Sequence, residues 1–246
     1  MRGRLDADAD VVDGIDPPSV RVSLSADRIV GAAVGFVDEF GLTSLTMRRL
    51  GERLGVEAMA LYRYVSGREA LLDLLVGTLI DEMRGDSDVL EQPEDGWQDF
   101  LQRLAHGVRR VALAHPRAFP LVASRPAEAP WLRPPLRSLE WVETFLHGLR
   151  SEGFDDESCV AAYRAFTSFL LGHLLLEVSA HGADVGPLDV LEETTEPTPS
   201  RLEEYPTVMR LRGRLSEDHS DVEFEDSLEE LLERVDLMRH ETTTWS

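Results

Sequence analysis

Six neighbouring positions, Ala58, Met59, Ala60, Tyr62, Arg63 and Tyr64, offer small, aromatic or basic side chains with no acid among them. From Thr46 to Arg68 the chain holds five arginines (48, 49, 53, 63 and 68) against Glu52 and Glu57, a local charge of +3. A guanidinium presents a planar fork of donors that fits phosphate or guanine bidentately. All basic residues of the chain are arginine. This combination points to contacts with double-stranded DNA. A second set has the spacing of metal ligands: His173, Glu177 and His181 fall at i, i+4 and i+8 of one helical face, and Glu143 and His147 make a further pair. A lone carboxylate–histidine pair on a helix is usually a solvated or interface hydrogen bond. No His stands three residues after a Glu, the spacing that di-iron bundles use. Gly-rich phosphate loops and nucleophile elbows are absent from the sequence, and Cys159 sits in an apolar helical stretch that favours an inert thiol. No catalytic residue, metal or cofactor is expected.

The period of the apolar residues says what must hold the six positions. Met47, Leu50 and Leu54 recur at i, i+3 and i+7, and Gly55 stands where a helix ends in a left-handed residue. After Val56 and Glu57 a second short helix follows, with Leu61 and Val65 as its buried pair. Two short helices joined by a glycine-containing turn form a helix-turn-helix, whose second helix can enter the major groove. Upstream, Ser25 caps a helix with Ile29, Ala33, Phe36, Val37 and Phe40 as its apolar stripe, closed by Gly41. Downstream, Ser66-Gly-Arg-Glu69 has the form of a capping box before a long helix carrying Leu71, Leu72, Leu75, Leu79, Ile80 and Met83. The expected fold class is all-α: an N-terminal three-helix helix-turn-helix head over 23–70, joined to a helical bundle over 71–246.

Helices are expected over Trp97 to His115, briefly from Pro116 to Ser124, over Leu136 to Ser151, from a cap at Asp155 to His181, around Arg201–Arg214, and over Val222 to His240. Residues 1–22, Asp-rich with Pro17-Pro18, read as a disordered arm, and 182–200 as a flexible acidic loop. The net charge of −21 runs against a nucleic-acid partner, but it is unevenly spread. From His181 to the end, eighteen acids face six arginines, a local −12. With a Debye length of ~8 Å at physiological salt, a distant acidic body barely screens a basic face, so the patch decides and not the total. No run of 18 apolar residues occurs, and MRGRLDADAD is acidic where a signal peptide is basic and then apolar. A soluble, cytoplasmic chain with no membrane partner is expected. The single cysteine excludes an internal disulfide.

The stretch from Ser25 to Val76, including TMRRLGERLGVEAMALYRYV, resembles the DNA-binding head of the tetracycline repressor (TetR) family, densely over about 24–83. WQDFL at 97–101, SRP at 124–126, EGF at 152–154 and the helix around Leu171-Gly172-His173 resemble the ligand-binding body of the tetracycline-repressor branch itself. The resemblance implies that Thr46, Arg48, Tyr62 and Arg68 contact the DNA backbone, while Ala58, Met59, Ala60, Arg63 and Tyr64 face the bases. At the last five the branch carries Gln-Pro-Thr and Trp-His, so a different operator is implied. It further implies a homodimer paired through the helix at 155–181 and the last helix, and a cavity for a small-molecule effector. By position in the family pattern, Leu104, Val108, Ser124, Val142, Phe145, Val160, Tyr163 and Thr167 line that cavity; plain core packing is the alternative for each. Arg84 stands in place of the branch's pocket His, Leu104 of its Asn and Phe145 of its Gln, and Leu121 or Val122 falls where its metal-binding His belongs. A metal-chelated drug is thereby disfavoured and an apolar or aromatic ligand expected, acting on a repressor. The alternative is a helical ligand- or protein-binding dimer without specific DNA binding.

Overall fold

The computed structural model describes residues 23–125, 129, 131–134, 138–184 and 204–241; the arm at 1–22 and nearly all of the loop at 182–200 lie outside them. The described residues form ten α-helices and no strand. The head comprises α1 (Ala26–Phe40), a 3-10 turn (Leu42–Ser44), α2 (Met47–Leu54) and α3 (Ala58–Leu61). The body follows as α4 (Arg68–Arg84), α5 (Trp97–Ala114), α6 (Pro120–Ser124), α7 (Leu139–Ser151), α8 (Asp156–Ala180), α9 (Pro206–Leu215) and α10 (Ser220–Glu241).

Local chemistry sets the boundaries. The Ser25 and Thr46 hydroxyls accept from Arg28 N and Arg49 N, each at 3.2 Å, and the Asp155 carboxylate accepts from Ser158 N at 2.8 Å. These bonds satisfy amides that a helix start leaves without a partner. Gly55 closes α2 at φ 70°, ψ 30°, the left-handed region that favours glycine. One expected cap does not form. The N-cap of α4 is Gly67, which has no side chain to offer, and the Glu69 carboxylate pairs instead with Arg125, 2.6 Å away. A charge-assisted bond to a guanidinium outcompetes a bond to a neutral amide.

The buried residues form one continuous apolar core through head and body. Helix α4 is common to both: it packs on α1, and also on α5 and α6. Helix α8 lies at the centre of the body against α5, α7 and α10. By length and composition α8 could cross a membrane, with a mean hydropathy of 1.4. Its inner face, with Tyr163, Phe166, Leu170 and Leu174, is nonetheless buried in this core. Helix α9 buries none of its residues within the protomer.

Candidate functional site

In the head, Leu50, Leu61 and Val65 are fully or almost fully buried, which fixes α3 against α2. Gly51 is what lets the two approach: a Cβ there would lie 2.8 Å from the Val56 carbonyl oxygen and 3.2 Å from Ala58 N. Nothing in the apolar period marks Gly51, and the sequence reading passed over it. The second helix is short, a single turn to Leu61 followed by a turn through Tyr64. Met59 is 74% exposed, Tyr62 45% and Tyr64 47%, and Arg63 is exposed with them. Ala58 and Ala60 are half-buried and bring the backbone close to the surface.

The arginines divide by what they touch. Arg49 donates to the Ser44 carbonyl (3.0 Å) and lies over the rings of Phe36 and Phe40, at 5.0 and 5.6 Å. That cation–π shelf explains why Phe40 is partly exposed although it continues the apolar stripe of α1. Arg53 pairs with Glu39 at 2.7 Å. Arg68 donates to the carbonyls of Leu45 and Leu42, at 3.3 and 3.4 Å, so it ties α4 to the turn that precedes α2. Among the described residues Arg48 pairs with Glu52 across one turn, and both side chains are well exposed. A pair of that kind contributes roughly 0–1 kcal/mol, so Arg48 exchanges partners readily. Thr46 is exposed at the N-terminus of α2, where free amides favour an anion.

In the body a cavity of about 110 Å³ opens between α4, α5, α7 and α8. One water needs roughly 10–15 Å³, so this is an order of magnitude larger. Leu104, Val108, Phe145, Tyr163 and Thr167, taken from the sequence, come together on its wall. Ser124, Val142 and Val160 do not. Ser124 is exposed at the end of α6; Val142 is buried, but one residue out of phase with the inward pair Trp141 and Phe145; Val160 is 42% exposed near the start of α8. The remaining wall comes largely from residues that sequence reasoning did not assign to the cavity, although Val122 falls near the position of the branch's metal-binding His. Leu79, Ile80 and Met83 of α4 form one side, with Phe119 and Val122 at another. Helical phase made the three α4 residues inward-facing, but it does not say which inward faces fail to meet.

The Tyr163 hydroxyl donates to the Pro134 carbonyl at 2.9 Å, and burial pushes its pKa up to about 12, so it stays neutral. Arg84 pairs with Glu140 at 2.6 Å and stands 5.9 Å over the Trp141 ring. Glu177, one of the three residues at metal-ligand spacing, is held instead by Arg109. Among the described residues no group of three or more His, Cys, Asp or Glu could hold a metal ion.

Head and body meet through ionic contacts. His115, just after α5, places Nδ1 2.8 Å from Asp38 of α1 and Nε2 2.9 Å from Glu82 of α4. Arg117 donates to the carbonyls of Asp38 and Glu39, and Arg125 binds Glu69 and Asp73 near the start of α4. The segment carrying these three residues also carries Phe119 and Val122 of the cavity wall.

Residues 91–238 match the family described as tetracyclin repressor-like, C-terminal domain. An HTH-type transcriptional regulator of Saccharopolyspora erythraea is 30% identical over 186 residues, covering 75% of this chain and 73% of that protein. A possible TetR family transcriptional regulator from Streptomyces coelicolor A3(2) superposes with a TM-score of 0.67 at 29% identity, covering 87% of this chain and 100% of the other. The Streptomyces coelicolor TetR family protein ActR, solved in complex with actinorhodin, gives 0.65 at 26% identity, covering 90% and 99%. Helix-turn-helix head, helical body and matched sequence agree: the chain belongs to the tetracycline repressor family of ligand-responsive, DNA-binding transcriptional regulators.

Proposed function

We propose that the protein is a cytoplasmic, homodimeric repressor that a small apolar or aromatic molecule releases from a palindromic operator, with no catalytic step. The observation that carries this is the double use of α4, which packs against α1 of the head and lends Leu79, Ile80 and Met83 to the cavity wall. A ligand that fits better in one orientation of α4 shifts the heads toward that orientation, and only this difference in affinity can drive the change. Two recognition helices must reach major grooves about 34–36 Å apart, so a modest tilt of α4 breaks the register. The unit boundary lies near residue 70, at the head end of α4. Dimerisation through α8 and α10 accounts for Leu176 and Leu237, 76% and 63% exposed in the protomer.

Thr46, Arg48 and Tyr62 would hold phosphate, and Met59, Arg63 and Tyr64, with Ala58 and Ala60 beneath them, would face the bases. Arg68 acts by holding the turn before α2. With Arg49, Arg53 and Arg68 engaged internally, Arg48 and Arg63 are the mobile cations of each head. Of the two, only Arg48 is assigned to phosphate, so two per dimer give a log–log salt slope of about −1.8, at −0.9 per phosphate neutralised. The test is a gel-shift titration against DNA flanking the protein's own gene, backed by selection from a random library. A salt-sensitive complex that random DNA competes poorly, weakened on all sequences by Arg48→Ala and relaxed in preference by Arg63→Ala, is expected. Failure to enrich any palindrome would refute the repressor reading.

A further inference from the structure

Only two buried side-chain polar atoms of the described residues lack a hydrogen-bond partner, and one is the indole nitrogen of Trp141. Trp141 is 9% exposed and lines the cavity. The other polar groups on that wall are engaged. Ser138 Oγ accepts from the Trp141 amide at 3.3 Å, the Tyr163 hydroxyl donates to Pro134, and Thr167 bonds to Tyr163. No described residue of the wall carries a formal charge, and the nearby Arg84 is neutralised by Glu140. A charged ligand would enter without a counter-ion, which is strongly unfavourable in an apolar site. An indole N–H is a donor only, and buried groups of this kind are nearly always paired. A bound molecule whose acceptor reaches this orphaned donor would supply what the protein does not.

We propose that the effector is an uncharged, largely apolar ring compound bearing a hydrogen-bond acceptor, and that Trp141 selects it by donating its indole N–H to that acceptor. This rests on the regulator reading and names its ligand class. The rest of the wall fits rings rather than chains: Phe119, Phe145 and Phe166 present aromatic surface, which favours offset or edge contact with a flat molecule. Discrimination follows from the unmade bond. A hydrocarbon of the same shape leaves the N–H buried and unpaired, whereas a ketone satisfies it, a difference of roughly tenfold in affinity.

The experiment compares three compounds of one skeleton, indane, 1-indanone and indane-1-carboxylate, by ligand-observed NMR titration of the full-length protein. The ketone is expected to bind about tenfold tighter than indane, and the carboxylate more weakly than either. Trp141→Phe is expected to bring the ketone and the hydrocarbon to equal affinity, whereas Thr167→Val keeps the preference. Should Trp141→Phe not fold, the indole proton of Trp141 in the native protein serves instead: it moves downfield with 1-indanone and not with indane. Equal affinity for ketone and hydrocarbon, a preference that survives Trp141→Phe, an unmoved indole resonance, or no binding of either neutral compound overturns the proposal. Operator binding, followed separately, tells a wrong ligand class from a wrong regulator reading, since the former leaves DNA affinity intact.

Discussion

Arg109→Leu is expected to be among the most damaging single substitutions in the body, and the reason can be worked from one cluster. Arg109 of α5 places Nη2 2.5 Å from Glu177 Oε1 of α8 and 2.5 Å from Asp221 Oδ1 of α10, with its guanidinium carbon 4.8 Å from the centroid of the Phe224 ring. The two carboxylates are not equivalent. The Asp221 side chain is 87% exposed, so its pair contributes roughly 0–1 kcal/mol. The Glu177 side chain is 3% exposed, and removing its partner strands a carboxylate in the core at a cost of about 3–5 kcal/mol. Replacing both ends by apolar groups removes the stranded charge, so Arg109→Leu/Glu177→Leu is expected within about 1 kcal/mol of the native protein. Asp221→Ala is expected to cost under about 1 kcal/mol. Urea unfolding followed by tryptophan fluorescence at one fixed protein concentration measures these three variants and the single Glu177→Leu, which completes the double-mutant cycle that isolates the pair. If Arg109→Leu costs no more than Asp221→Ala, Glu177 is not a desolvated partner and the argument fails.

His115 gives a pH dependence with a definite sign. Burial alone would lower its pKa, but hydrogen bonds and charge from Asp38 and Glu82 outweigh that and hold it above the ordinary 6.5. Both ring nitrogens face carboxylates, which only the doubly protonated ring can satisfy as a donor on each side. The stability it contributes is complete below about pH 6.5 and is lost as pH rises through the raised value. Thermal midpoints of the native protein should therefore fall toward alkaline pH relative to His115→Gln, and parallel profiles would contradict the assignment. Gly51→Ala pushes a Cβ against the Val56 carbonyl and should destabilise the head by about 1–3 kcal/mol. Gly31→Ala meets nothing within 4 Å in the middle of α1 and should stabilise by about 0.5–1 kcal/mol; denaturant midpoints that rank the two the other way would refute the packing argument. Leu104→Phe adds volume to the cavity and should weaken 1-indanone binding while sparing operator affinity, and unchanged ketone affinity would place the ligand elsewhere.

The sequence by itself determined the elements and their phase. Ser25, Thr46 and Asp155 cap where their types and positions say they must, because a capping bond spans three residues and depends on nothing distant. Gly55 ends α2 for the same local reason. The exposed face of Met59, Tyr62, Arg63 and Tyr64 was legible too, since Leu61 and Val65 fix the opposite face by period alone. Tertiary structure decided what each charged or inward-facing group finally meets. Glu69 looked like half of a capping box and became a partner of Arg125, which is 56 residues away in sequence. Glu177 stands at metal-ligand spacing, where a solvated or interface hydrogen bond is the expected role, and in the fold it is the buried partner of Arg109 on another helix. Of the residues placed on the cavity wall by position, Leu104 and Phe145 reach it, while Val142 is a neighbour out of phase. Period fixes which side of a helix is buried; only the crossing of α4, α5, α7 and α8 fixes where buried sides fail to touch. A cavity is the gap left by that crossing, and no single helix encodes it.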